Sequence, residues 1–209
     1  MQLTTKTLLL IGILLITPFF ASAQSAKAGV KGGVNFSNLF IDEVDDENMR
    51  IGFHAGVYGE FLLPSGTIGI RPELLYSAKG AKGTYNFAGI DGEYKFNLDY
   101  IDLPVLLVFK LGDKVDIHAG PYVGYLINTS VTSEGDLGEY DEDIDRDNFN
   151  SFDFGLSGGI AFNFNPVSVG LRYNYGLTKI ADSDVADEVL GNAKNGVGQV
   201  FISFNLKGE

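Results

Sequence analysis

The residues of this chain that could do chemistry recur at every second position of apolar runs. Lys31, His54, Tyr58, Glu60, Arg71, Glu73, Lys79, Tyr100, Asp102, Asp116, His118, Asp153 and Arg172 stand on this pattern. Alternation places them on one face of a set of strands, with apolar residues on the other. Such a face could carry a proton or ion path, or a catalytic centre. Alternatively its charges pair with one another, because an unpaired buried charge is costly. A network of Lys31, Glu60, Arg71, Glu73, Asp102, Asp116, His118 and Arg172 suits either a structural role or conduction. A catalytic constellation does not assemble. The two histidines, His54 and His118, lie near opposite ends of their strands, the chain has no cysteine, and no serine has a base placed beside it by spacing. The chain reads as non-enzymatic, with no catalytic residue and no cofactor implied.

A second cluster, Asp141-x-Asp143-x-Asp145, begins like a calcium loop. An EF-hand would then need glycine at the sixth position and glutamate at the twelfth, where this chain has Arg146 and Phe152. It is not an EF-hand, and no metal site is assigned. Divalent cations could still bridge these carboxylates to lipid phosphates; a solvated, self-repelling loop is the plainer reading.

Positioning the alternating residues requires eight strands, over about residues 27–38, 50–63, 68–79, 100–111, 115–126, 151–165, 167–178 and 196–206. The stretch 100–126, YIDLPVLLVFKLGDKVDIHAGPYVGYL, is the clearest. Ile101, Leu103, Val105, Leu107 and Phe109 alternate up to a polar turn, Gly112-Asp113-Lys114. Val115, Ile117, Ala119, Val123 and Tyr125 then alternate away from it. Strands this long exceed the ~5–6 residues of soluble sheets and match the ~9–11 of a tilted membrane strand. Glycines (Gly52, Gly56, Gly120, Gly124, Gly155, Gly159, Gly170, Gly176) share the polar face, as a narrow lumen filled with side chains requires. Aromatics gather near both ends of the apolar face, like the two girdles at bilayer interfaces. The expected fold is an all-β, eight-stranded, antiparallel up-and-down transmembrane barrel, apolar face to lipid and polar face inward. A soluble barrel such as a lipocalin would alternate too, with its faces reversed.

Connections after strands two, four and six are short, and the others long. In outer-membrane barrels the short rim is periplasmic and the long loops extracellular. Residues 39–50, 129–150 and 180–195 hold 17 of the 27 acidic residues and only three basic ones. Of the net −12, these loops carry −14 and the remainder +2. An acidic chain excludes non-specific nucleic-acid binding. Within residues 84–100, Tyr85, Phe87, Tyr94, Phe96 and Leu98 alternate, suggesting a projecting hairpin that could dock a protein partner or cap the mouth. If Pro64-Ser65-Gly66-Thr67 closes a two-residue hairpin, cross-strand partners sum to 131 and Glu60 faces Arg71, within reach of a charge-assisted bond.

The N-terminus reads as a signal peptide. A basic start (Met1 to Lys6), an apolar run from Leu8 to Phe20 and Ala21-Ser22-Ala23 predict cleavage after Ala23, leaving residues 24–209 as the barrel domain. The apolar run is shorter than the ~20 residues of a membrane helix.

RPELLYSAKG (71–80), YIDLPVLLVFKLG (100–112), GPYVGYLI (120–127), FDFGLSGGIAF (152–162) and RYNYGLTKI (172–180) together resemble the outer-membrane β-barrel family often labelled porin-like or PorT-like. The resemblance implies an eight-stranded barrel, a signal peptide, residence in the cell outer membrane and contact with its lipid. It supplies no catalytic residues. The label derives from a member linked to protein secretion, so a component of a secretion apparatus is one alternative and a small channel for water, ions or very small solutes another. The chain departs from the pattern by ending Lys207-Gly208-Glu209 after Leu206, where such barrels usually finish on an aromatic or apolar residue.

Overall fold

The structure, a computed structural model, describes residues 25–40, 49–87, 90–135, 140–143, 149–181 and 193–207. These form nine strands: β1 (Ser25–Phe40), β2 (Arg50–Leu62), β3 (Ile68–Phe87), β4 (Ile90–Leu111), β5 (Val115–Gly135), β6 (Tyr140–Asp143), β7 (Phe152–Asn163), β8 (Val167–Gly176) and β9 (Lys194–Lys207). Eight close an antiparallel ring in the order β1-β2-β3-β4-β5-β7-β8-β9, with β9 paired back onto β1. Closure leaves the ring no unpaired edge, which is what a membrane demands of strands. β6 lies outside the ring, on the outer end of β5, with Ser130–Ser133 opposite Tyr140–Asp143.

Residues 63–67, 112–114 and 164–166 make the short connections, all on one rim. Gly66 and Gly112 both sit at φ +69°, a conformation a side chain would disfavour. The first turn is longer than a two-residue hairpin, yet keeps the predicted register. Tyr58 pairs with Glu73 and Leu62 with Gly69, while the Leu63 N–H donates to the Ile68 carbonyl at 2.8 Å.

Outward residues form a continuous apolar belt that includes Ile51, Phe53, Leu107, Phe154, Leu171 and Ile202, all exposed. Its aromatic rims are knitted by ring contacts such as Phe53–Tyr76 (5.3 Å) and Tyr125–Phe152 (5.4 Å). An exposed apolar surface of this extent is a membrane-facing surface.

Three features differ from the simple pattern. β3, β4 and β5 continue well past the belt; their ladders reach Phe87–Ile90 and Gly92–Gly135. β5 carries a bulge, because Asp99 pairs with Asn128 but Tyr100 with Leu126. Ile127 is the extra residue, so the inward set switches from even numbers below it to Thr129 above it. Finally, the inward face is not purely polar. Leu75, Leu106, Val108, Val197 and Phe201 are buried there, filling space between the charges.

Candidate functional site

The lumen holds its charged residues in tiers. Nearest the short-turn rim, Arg71 of β3 donates Nε to Glu60 Oε2 at 2.9 Å, and its Nη2 donates to the same oxygen. Nη2 also reaches Asp116 Oδ2 at 2.9 Å. Lys110 Nζ closes the quartet, 2.9 Å from both Glu60 Oε1 and Asp116 Oδ2. Asn163 Nδ2 donates to Asp116 Oδ1 at 2.9 Å. Two cations thus match two carboxylates.

In the middle, Arg172 of β8 reaches across the lumen to Glu73 of β3. Its Nη1 and Nη2 donate to Oε2 and Oε1 at 2.7 and 2.8 Å, the bidentate fork that fixes geometry as well as energy. Lys31 Nζ donates to Glu73 Oε2 at 3.2 Å and sits 3.8 Å from the centre of the Phe201 ring. Arg172 Nε lies 3.1 Å from His118 Nε2. Since guanidinium cannot accept, His118 accepts at Nε2 and carries its proton on Nδ1. Beside this tier, Asn35 is the hub of a neutral network. Its Oδ1 is met by His54 Nδ1 (2.8 Å) and Gln199 Nε2 (3.0 Å), and its Nδ2 donates to Ser77 Oγ (3.1 Å).

Towards the long-loop end, Lys79 is fully buried between two carboxylates, Asp102 at 2.9 Å and Asp153 at 3.2 Å. The Tyr122 hydroxyl (3.1 Å) and Asn195 Nδ2 (3.0 Å) also donate to Asp153 Oδ2, and the Tyr100 and Tyr122 rings flank the ammonium at 4.5 and 4.9 Å. An apolar cap covers this tier. Leu98, Tyr100 and Leu126 from the wall pack with Phe149, Ile180 and Ala181 from the long connections, which are tied together by a Phe149–Ala181 bridge.

Every residue of the expected charge network, Lys31, Glu60, Arg71, Glu73, Asp102, Asp116, His118 and Arg172, points into the lumen and is buried. The structure brings Glu60, Arg71 and Asp116 into one group, Lys31, Glu73, His118 and Arg172 into a second, and places Asp102 in a third. Counting Lys79, Lys110 and Asp153, the three tiers together match five cations to five carboxylates. His54 and His118 belong to separate hydrogen-bond networks, and the described residues contain no group of three or more side chains suited to a metal. Lys110, Asn35, Gln199, Tyr122 and Asn195 complete these networks. Lys110 shares the parity of Asp102 on β4, so alternation could have found it; the others are uncharged, and pattern alone does not single them out. Asp141 and Asp143 lie two residues apart on β6; their side chains, and Asp145, fall outside the described residues, as do the side chains of residues 84–91.

Comparison with known proteins bears on this barrel at the level of family and fold. Residues 22–182 match the family model described as outer membrane protein beta-barrel domain. Among solved structures, Ail of Yersinia pestis, determined in complex with the heparin analogue sucrose octasulfate, is 15% identical with a TM-score of 0.50. That alignment covers 87% of this chain and 99% of Ail. A major outer membrane protein of Thermus thermophilus is 12% identical, with a TM-score of 0.48 and coverage of 87% and 99%. Neisserial surface protein A is 14% identical, with a TM-score of 0.43 and coverage of 87% and 97%. The search of curated proteins found no match. The family match is to the broad barrel domain; the narrower porin-like or PorT-like label rests on the sequence motifs alone.

Proposed function

Since the chain belongs to the outer membrane protein β-barrel domain family, we propose that it acts as a closed, non-enzymatic barrel holding acidic loops above the outer membrane. The protein resides in that membrane, its apolar belt in lipid. The observation that carries the reading is the filled lumen: charged tiers satisfied by one another, under an apolar cap. A path for ions would have to break these pairs one tier after another, and each rupture strands a buried charge. The useful surface is then outside, on the loops. Those loops carry −14, so a polyanion like the sulfated ligand of the Ail structure is repelled, and a cationic partner or divalent cations at Asp141, Asp143 and Asp145 fit better. The aromatic hairpin within 84–100 is the second place for a protein partner. Residues 1–23 serve as a cleaved export signal.

Planar-bilayer recording of the purified protein tests this. The expected trace is flat, with no stable steps. Steps that shift when Glu60 or Arg71 is neutralised would instead establish a channel for water, ions or very small solutes. The mass of the same preparation reads the export signal: a chain starting at Gln24 supports it, and an intact Met1 terminus rejects it.

A further inference from the structure

The lumen is sealed at one end and open at the other. At the short-turn rim a polar vestibule of about 340 Å³ opens, with the Glu60–Arg71–Lys110 group at its floor. That volume falls within the ~300–1,000 Å³ of small-molecule sites.

On the inner wall and floor of the vestibule the hydrogen-bonding capacity left over is one-sided. Glu60 and Asp116 spend their oxygens on Arg71, Lys110 and Asn163. Asn163 Oδ1 accepts from the Ser168 hydroxyl at 2.7 Å, and Asn205 Oδ1 from the Tyr58 hydroxyl at 2.6 Å. These inner acceptors are therefore consumed internally, while Asp113 adds an exposed carboxylate at the outer lip. Donors remain. Lys27 pairs with Glu60 in the β1–β2 ladder and lines the vestibule, but Arg71 and Lys110 already hold that carboxylate, and Lys27 makes no ion pair among the described residues. Asn205 lines the same wall, and with its Oδ1 taken by Tyr58 its amide N–H groups are the capacity it has left. A ligand that satisfies spare donors must bring acceptors, and an anionic group gains most from an unpaired ammonium. The hydroxyl and amide groups of Ser168, Ser203 and Asn165 around it suit a hydroxylated molecule, not a greasy one.

We propose that this vestibule binds a small hydroxylated organic anion from the periplasmic side, its carboxylate or phosphate held by Lys27 and Asn205. Neither the charge tiers deeper in the lumen nor the external loops take part, so the site stands or falls independently of the proposed loop function.

Isothermal titration calorimetry of the full chain in zwitterionic nanodiscs tests the site with three probes: glucose 6-phosphate, gluconate and glucose. One or both anions should bind saturably at one site per barrel, and glucose should not. Binding of the phosphate alone or the carboxylate alone identifies the source of the anionic group. Lys27→Gln should weaken binding at least ~10-fold, about 1.4 kcal/mol, and Asn205→Ala should weaken it less. Lys95→Gln, on the projecting hairpin, should leave it unchanged. Heat-modifiable gel mobility confirms that each variant is folded. The proposal fails if neither anion gives saturable heat, if glucose binds as well as they do, or if Lys27→Gln binds like the parent.

Discussion

The two ends of the lumen solve the same problem differently. At the periplasmic end, Arg71 and Lys110 face Glu60 and Asp116 beside an open vestibule, two charges against two. At the extracellular end, one ammonium, Lys79, faces two carboxylates beneath an apolar cap. The Lys79 group thus has one more carboxylate than cation where solvent helps least, with Arg50 standing by at the Lys79 carbonyl, 3.0 Å away. Short-range donors, the Tyr122 hydroxyl and the Asn195 amide, offset that surplus on Asp153, while two aromatic faces favour the charged form of Lys79. The middle tier, with Lys31 and Arg172 against Glu73, holds the compensating positive charge. Solvent access therefore decides how much each buried pair matters.

The largest effect is expected at the sealed end. Lys79→Met should cost about 3–5 kcal/mol, because Asp102 and Asp153 are left buried with no cation. Adding Asp102→Asn and Asp153→Asn removes both charges while keeping an acceptor for Tyr122, and should recover most of the loss. Urea unfolding in lipid vesicles reads both. If the single and triple variants unfold alike, the tier is not an electrostatic unit.

The open end should respond less. A Glu60–Arg71 pair standing alone would also put the loss at about 3–5 kcal/mol. Lys110, 2.9 Å from both carboxylates, stays behind after Arg71→Ala, so the expected cost falls to about 1.5–3 kcal/mol, that of losing hydrogen bonds to a charge. Replacing Glu60 and Arg71 together by apolar residues should restore part of it. An Arg71→Ala loss as large as that of Lys79→Met would abolish the distinction between the two ends.

Alternation made most of this legible. Period two placed each charged residue on the inner face, and the Pro64–Thr67 turn set the register that joins Glu60 to Arg71. Partnerships across the ring were not legible. Arg172 meets Glu73 from 99 positions away, and Lys79 meets Asp153 from 74, because long side chains cross a narrow lumen at heights that depend on strand stagger. The Ile127 bulge was hidden as well, since a single extra residue leaves apolar residues on both sides of the parity switch. The cap was illegible for another reason: Phe149 and Ile180 lie in irregular connections, where burial follows from tertiary contact and has no period to announce it.

The smallest effect belongs to the wall that projects beyond the membrane. Across the β3–β4 hairpin Lys82 forms an ion pair with Glu93, and Lys95 stands 3.4 Å from the other carboxylate oxygen. The hydrogen bond from Lys82 is the main reason the Glu93 carboxyl titrates below its ordinary value. A lowered folded value means the pair contributes above the unfolded glutamate pKa of about 4.3 and that its contribution fades as pH falls through the folded value. Both side chains are about a third exposed or less, open enough for water and salt to screen them, so Lys82→Gln should change stability by no more than about 0–1 kcal/mol. Unfolding will barely register it. Carbon-detected NMR titration of Glu93 will: its midpoint should rise toward the ordinary value in Lys82→Gln, and fall short of it while Lys95 remains. A midpoint unmoved by the substitution would mean that Lys95 alone holds the carboxylate. The same kind of ion pair that is structural inside the barrel is, a few residues further along the same strands, almost without consequence for the fold.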